Sequence, residues 1–77
     1  MTQQEISTYF RDAGYTENPE YTFVDPTGQF TFVSGPEQLI YTYTEYEGVI
    51  KNENISGVPG LEQWINLVEQ DSLNPPI

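Results

Sequence analysis

The fold of this chain is decided by residues 21–33, YTFVDPTGQFTFV. Aromatic and β-branched residues alternate with other residues on both sides of Asp25-Pro26-Thr27-Gly28, with the two-residue period of a β-strand. In the centre, Asp suits the first position of a type I turn, Pro suits the second, and Gly suits the left-handed position that follows. The stretch therefore predicts a β-hairpin.

Two registers are open for this hairpin, and they place its aromatic rings differently. A two-residue loop pairs Phe23 with Phe30, and all four rings of the stretch then share one face. A three-residue loop with a G1 bulge at Gly28 instead pairs Val24 with Phe30. Tyr21 and Phe23 then point to the other face. The turn sequence favours this second register, so we expect an aromatic patch that is exposed or covered by a partner.

Two further strands are predicted after Gly35-Pro36, which breaks the chain. Residues 39–44, LIYTYT, have the composition of a third strand. Glu47-Gly48 predicts a turn before a short fourth strand at residues 49–51, with one continuous bulged strand as the alternative.

An amphipathic helix is predicted on each side of the strands. Residues 2–5, TQQE, match a capping box, and apolar residues follow at helical spacing as far as Gly14, which predicts a first helix over residues 3–13. Pro59 suits the first turn of a second helix. Trp64 lies on the apolar stripe of that helix and is predicted to be buried.

The fold class that follows is α+β. Each helix must cover apolar surface, and the sheet is the large apolar surface at hand. We expect one small domain over residues 1–73, with a three- or four-stranded antiparallel sheet flanked by an N-terminal and a C-terminal helix in the order α-β-β-β(-β)-α. Residues 74–77, NPPI, predict a flexible tail, because proline neither donates to a sheet nor continues a helix.

The charge of the chain points to a class of partner. Twelve acidic residues stand against two basic ones, Arg11 and Lys51, for a formal net charge of -10. Such a chain repels nucleic acid and anionic membranes and is attracted to cationic protein surfaces. We therefore expect a partner protein with a basic surface, such as a nucleic-acid-handling complex, and neither direct nucleic-acid binding nor a membrane partner.

Catalysis is not expected from this composition. The chain has no His and no Cys, which removes the commonest acid-base and nucleophilic groups. Glu45 and Glu47 would share one face of a strand, at a spacing that suits a divalent cation, but nothing around them supplies a cleft. The sequence predicts no enzyme, no metal site and no cofactor. With neither an export signal nor an apolar run of membrane-spanning length, it predicts a cytoplasmic protein, in the host cytoplasm if phage-encoded.

In size, acidity and α+β plan the chain resembles phage-encoded inhibitors of host defence nucleases, anti-CRISPR proteins among them, and bacterial immunity proteins. The resemblance is one of type, with no shared motif, and it assigns no residue roles. The charge of the chain itself suggests a non-enzymatic inhibitor that occupies a basic nucleic-acid-binding surface as a nucleic-acid mimic, with carboxylates where phosphates would lie. The candidate contacts are carboxylates on strands and loops: Glu17, Glu20, Glu37, Glu45, Glu47 and Glu53. Of these, Glu45, Glu47 and Glu53 are expected to lie together near one end of the sheet.

The alternative hypothesis uses the aromatic rings. It describes a small interaction or assembly subunit, or an immunity-type protein, that binds through an aromatic sheet face as a homodimer or with another protein. Its candidate residues are Tyr21, Tyr41 and Tyr43. Salt distinguishes the two hypotheses, because a charge-based complex weakens steeply with ionic strength and an aromatic interface does not.

Overall fold

The chain forms one helix, then an antiparallel sheet of five strands, then a second helix. The computed structural model describes residues 1–73, with side chains described to residue 70. The elements are α1 (Gln3–Asp12), β1 (Thr16–Glu17), β2 (Thr22–Val24), β3 (Thr31–Ser34), β4 (Gln38–Tyr43), β5 (Tyr46–Lys51), a 3-10 turn (Asn52–Asn54) and α2 (Gly57–Leu73). This order confirms the α+β plan. The tail predicted at residues 74–77 lies outside the described residues.

The sheet is a simple meander, in which each strand pairs with the next in the order β1-β2-β3-β4-β5. Phe23 lies opposite Phe32, so neither of the two predicted hairpin registers is correct. The physical reason is the Asp25 side chain, whose Oδ1 accepts hydrogen bonds from the main-chain nitrogens of Gln29 (2.9 Å) and Phe30 (3.0 Å). These bonds hold a four-residue loop, residues 26–29, closed by the hydrogen bond from Asp25 N to Phe30 O (3.0 Å).

The hydrophobic core lies on one side of the sheet, because both helices pack there. The Phe10 ring of α1 stacks on Phe23 and Phe32, with 5.1 Å between centroids in each pair. Trp64 of α2 meets the same Phe32 edge-on at 6.2 Å. Since Phe32 contacts both helices, they cover the same face. Trp64 is half-buried at the edge of this cluster, not fully buried as predicted, while Leu61 of the same helix is completely enclosed.

The start and end of α1 follow the sequence signals. Thr2 Oγ1 accepts a hydrogen bond from Glu5 N (3.2 Å), and Glu5 Oε1 accepts one from Thr2 N (3.1 Å), which confirms the capping box. These hydrogen bonds lower the pKa of the Glu5 carboxyl. Gly14 has a φ of 86°, the left-handed conformation that ends a helix.

Gly48 lies inside a strand and not in the turn that its sequence predicts. The turn is at Thr44-Glu45, with Tyr43 opposite Tyr46, and Thr44 adopts a φ of 55°. Gly48 pairs with Tyr41, whose ring lies over it so closely that a Cβ on Gly48 would stand 1.9 Å from Tyr41 Cε1. Glycine is needed at this position because an aromatic ring occupies the space of a side chain.

Candidate functional site

One face of the sheet is left without a helix within the described part of the chain. Alternation along the strands places the following residues on this face, which we call the open face: Thr16, Thr22, Val24, Thr31, Val33, Gln38, Ile40, Thr42, Glu47, Val49 and Lys51. Val33, Ile40 and Val49 are neighbours across three strands, and Val49 is 52% exposed. The exposed aromatic patch expected here is wrong, because the observed register turns Phe23, Phe30 and Phe32 inward and leaves β-branched side chains outside.

The three candidate tyrosines do not share a surface. Tyr41 and Tyr43 are half-buried on the helix-covered face, where Tyr41 meets Trp64 edge-on at 5.8 Å and Tyr43 stacks on Phe30 at 4.7 Å. Tyr21 lies outside the strands with a φ of 66°, and its hydroxyl accepts a hydrogen bond from Gln4 Nε2 (3.1 Å). Their contact with a partner stays a prediction, but it cannot be made through one aromatic sheet face.

Glu17 is engaged inside the molecule. Arg11 donates two parallel hydrogen bonds to the Glu17 carboxylate, from Nε to Oε1 at 2.7 Å and from Nη2 to Oε2 at 2.8 Å. Tyr21 N donates a third hydrogen bond to Glu17 Oε2 at 3.0 Å. The guanidinium and these hydrogen bonds lower the pKa of the Glu17 carboxyl to about 2. The pair joins α1 to the edge strand β1, so a partner could use Glu17 only in competition with Arg11.

Two more carboxylates interact inside the fold, near the Asp25 loop. Burial raises the pKa of Asp25, but hydrogen bonds from Phe30 N, the Thr27 hydroxyl and Gln29 N outweigh burial, and the pKa lies below its ordinary value. Burial and the nearby Asp25 charge raise the pKa of Glu69. Burial, with Glu69 nearby, also raises the pKa of Tyr15 to about 12. Asp25 and Glu69 therefore lie at the edge of the hydrophobic core and do not form an exposed site.

The exposed candidate carboxylates lie at both ends of the sheet. Glu45 is in the β4–β5 turn and Glu47 follows it on the open face, so they do not share one face of a strand. Glu53 follows the other end of β5, a strand of six residues, or about 20 Å at ~3.4 Å per residue. The expected cluster of Glu45, Glu47 and Glu53 is therefore wrong. Glu53 lies near Glu37 instead, because Asn52 N donates to Glu37 O at 2.9 Å.

Glu20 belongs to the same end of the sheet as Glu37 and Glu53. It lies in the loop before β2, next to Tyr21, whose carbonyl accepts a hydrogen bond from Ser34 N (2.8 Å) at the end of β3. We call this end of the sheet, which includes Glu20, Glu37 and Glu53, the Asn52 end. The opposite end, with Glu45 and Glu47, is the hairpin end.

A cavity of about 530 Å³ opens at the Asn52 end, between the start of α1, the β3–β4 loop and the exit of β5. Glu37, Lys51, Asn52 and Glu53 contribute to its wall. Asn52 is 4% exposed, and its Nδ2 donates to Gly35 O at 2.9 Å. Among the described residues Asn52 Oδ1 is the buried side-chain atom that has no hydrogen-bond partner.

Asn52 was not a candidate at the level of sequence. A single Asn after a strand matches no ligand motif, and the signal for it, an unsatisfied acceptor, exists only in the folded chain. Over the described residues, acidic side chains do not form a group of three or more that could hold a metal ion. Within the same residues the helices are too short or too polar to cross a membrane.

Comparison with known proteins gives no match, since no family model, no curated protein and no solved structure is significantly similar to this chain.

Proposed function

We propose that this protein is a non-catalytic inhibitor that docks on a basic surface of a partner protein and blocks it. The observation that carries the proposal is the charge left on the surface after internal pairing. Of the two basic residues, Arg11 is paired with Glu17. The exposed carboxylates that make no hydrogen bond or ion pair within residues 1–70 are Asp12, Glu20, Glu37, Glu45, Glu47, Glu53 and Glu62.

The arrangement of these groups supports nucleic-acid mimicry as the mode of binding. The molecule is elongated, 36 × 25 × 18 Å, and carries acidic groups at both ends of its sheet. A groove that binds nucleic acid contacts successive phosphates along its length, and carboxylates spread over an elongated body present negative charge in a similar way. The field of the whole chain steers the encounter, and the bound protein excludes the nucleic acid by occupying its groove.

The experiment that tests the proposal is affinity capture from cells followed by competition. We expect the captured protein to have a basic nucleic-acid-binding surface, to lose binding when its nucleic acid is added, and to associate more slowly as salt rises. Neutralising Glu45 and Glu47 to Gln should slow association without unfolding the chain. A captured protein that binds equally well in high salt and in the presence of nucleic acid would contradict charge mimicry.

A second function is favoured by the open face. Val33, Ile40 and Val49 form an apolar row on a sheet without a covering helix, which suits an assembly subunit and includes the case of a homodimer. It ranks second because two copies with a charge of -10 each repel one another. Sedimentation velocity tests it directly: a dimer that Val49→Glu converts to a monomer would establish assembly through this face, and a monomer at all concentrations would exclude a homodimer.

A further inference from the structure

The last strand of the sheet, β5, has a free edge. The strand order ends at β5, so within the described residues it pairs on one side only, with β4. It is six residues long and contains neither a proline nor a bulge, whereas the opposite edge strand, β1, has two residues. Natural proteins usually shorten, bend or cover an exposed edge, because its unpaired main-chain groups can pair with another strand. A further strand can therefore add at β5.

The hydrogen-bonding pattern decides which residues of β5 present free main-chain groups. Asn52 N, just beyond the strand, donates to Glu37 O at 2.9 Å, and the pairing with β4 is unbroken from there back to the turn. Because main-chain groups alternate along an antiparallel strand, the even-numbered residues of β5 face β4. The N–H and C=O groups of Glu47, Val49 and Lys51 then point away from the sheet. Within the described part of the chain these groups have no hydrogen-bond partner.

The side chains of the same three residues match a reversed copy of themselves. Glu47, Val49 and Lys51 all lie on the open face. Their neighbours across β4 carry no charge, since Glu47 faces Thr42 and Lys51 faces Gln38. Along the strand Glu47 and Lys51 are about 14 Å apart, at ~3.4 Å per residue, which is too far for them to pair with each other. An antiparallel second copy of β5 brings Glu47 opposite Lys51 twice, with Val49 opposite Val49 between the two pairs.

This register also satisfies the hydrogen-bonding pattern. Every residue with outward main-chain groups lies opposite another such residue, so each pair can exchange two hydrogen bonds. A shift by two residues in either direction keeps the pattern but places a charged residue opposite Val49. A lysine in an edge strand commonly opposes pairing, but here it faces a glutamate. The apolar row of Val33, Ile40 and Val49, which ends at the edge with Val49 52% exposed, continues into the same row of the second copy.

We propose that two copies of this chain pair through β5, antiparallel about a two-fold axis at Val49, with Glu47 opposite Lys51 of the second copy on each side of the axis. The two sheets then join into one continuous sheet, and the interface is self-complementary, as two-fold symmetry requires. The contact is the edge of the sheet, which distinguishes it from the assembly through the open face considered above. The inference goes beyond the proposed function and does not depend on it.

The net charge of -10 per chain opposes this pairing, but salt screens it more than it screens the two ion pairs. At about 0.15 M salt, charges further apart than about 8 Å are largely screened, whereas Glu47 and Lys51 of the two copies would be in contact. Cross-strand pairs of opposite charge stabilise a sheet, and like charges directly opposite each other destabilise it. The two pairs therefore favour this register at physiological salt.

The test is sedimentation of the full chain over a concentration series in about 0.15 M salt. Glu47→Lys and Lys51→Glu each place like charges opposite each other at both pairs, so each should weaken self-association at least about tenfold. When the two variants are mixed one to one, opposite charges face each other again, and a mixed dimer about as tight as the native one should form. The mixed dimer has the same total charge as the native dimer, so net charge cannot explain the recovery.

Glu45→Lys is the matched control. It changes the charge of the chain by the same amount as Glu47→Lys, but Glu45 lies in the β4–β5 turn, outside the paired strand. Because it lowers the negative charge of the chain, it should not weaken the dimer. Val33→Gln, on the open face away from the edge, should also leave the dimer intact, whereas it would disrupt assembly through the open face. All these side chains are exposed, so we expect the variants to fold.

An isotope-filtered NMR experiment on mixed labelled and unlabelled native chains reads the register without any variant. Gly48 and Ile50 of the two copies form the close pair, at about 4.5 Å between Cα atoms, and their Hα protons should show an intermolecular contact. The inference is overturned by a native chain that stays monomeric throughout the series, by equal effects of Glu45→Lys and Glu47→Lys, by no recovery in the mixture, or by loss of the dimer with Val33→Gln. None of these results affects the proposed function, which capture of a basic partner tests separately.

Discussion

Replacement of Gly48 by Ala is expected to destabilise the protein, although alanine normally favours a strand over glycine by about 0.5–1 kcal/mol. The added Cβ would stand 1.9 Å from Tyr41 Cε1, 2.7 Å from Cδ1 and 2.9 Å from Cζ. The main chain of Gly48 is held by the pairing of β4 with β5, so the Tyr41 ring has to move.

The magnitude follows from what the displaced ring loses. Tyr41 contacts Trp64 at 5.8 Å and Phe32 at 6.4 Å between centroids, and such aromatic pairs contribute about 0.5–1.5 kcal/mol each. The two pairs together contribute about 1–3 kcal/mol. Subtracting the intrinsic gain of alanine leaves a net loss of about 1 kcal/mol in the free energy of unfolding, with an upper bound of about 2.5 kcal/mol. Urea unfolding followed by Trp64 fluorescence measures it.

A double-mutant cycle separates the clash from other causes. In a Tyr41→Ala background the ring is absent, so Gly48→Ala should become neutral or stabilising by up to about 1 kcal/mol. The reasoning is refuted if Gly48→Ala stabilises the native chain, or if its effect is the same with and without the Tyr41 ring.

The other predictions concern the first helix, the second helix and pH. Thr2→Ala removes the capping hydrogen bond to Glu5 N and should cost about 1 kcal/mol, seen as a drop of roughly 4–8 °C in melting temperature; an unchanged melting temperature would contradict it. Trp64→Ala should lower the free energy of unfolding by about 2–4 kcal/mol, somewhat less than the loss of a fully buried Trp, because the ring is half-buried. Urea unfolding followed by circular dichroism measures this loss, and a loss under about 1 kcal/mol would contradict the prediction. The pKa of Glu17 is about 2, against an ordinary value of 4.5, so ionised Glu17 stabilises the folded state above pH 4.5 and this stabilisation is lost as the pH falls towards 2. Thermal melts of the Glu17→Gln variant should not show this acid-induced loss. The pKa of Glu69 is raised, so its ionised form destabilises the fold and protonation of Glu69 on mild acidification should stabilise it. Glu69→Gln should therefore raise the melting temperature at pH 7 and remove this contribution of Glu69 to the pH dependence.

The helices could be located from the sequence because their signals are local. Thr2 and Glu5 lie three residues apart and contact each other directly, and Gly14 ends the helix by its own φ. The existence of the hairpin was also a local matter. The register of the hairpin could not be predicted locally, because the Asp25 carboxylate accepts hydrogen bonds from two main-chain amides across the loop. The residue preferences of turns do not indicate these hydrogen bonds.

The faces of the sheet were predicted wrongly, because alternation along a strand assigns a face only when the register between strands is known. Phe23, Phe32 and Tyr41 are aligned across β2, β3 and β4, with β-branched residues at the alternate positions of each strand. The edge strand β1 is only two residues long, too short for a periodic signal. Glu47-Gly48 has the sequence of a turn, but Gly48 lies in β5 because the Tyr41 ring of β4 occupies the space of a side chain there.

The sequence predicts which chemical groups dominate the candidate site, but not where they lie on the sheet. Composition alone indicates that carboxylates dominate the surface, whereas the distance between Glu45 and Glu53 depends on β5 being one unbroken strand. The unpaired Oδ1 of Asn52 appears only when the start of the chain and the β3–β4 loop meet around this residue.

The scarcity of basic residues has a practical consequence for finding the partner. Lys51 carries the one side-chain amine of the sequence, and it lies beside the cavity at the Asn52 end. Amine-reactive cross-linking through this side chain therefore reports contacts at that end of the sheet and leaves the hairpin end silent. Trypsin can cleave only after Lys51 and Arg11, and Arg11 lies within α1, which must open locally before trypsin can cleave there. Contacts of the hairpin end have to be sought with reagents that couple carboxylates to the amines of the partner.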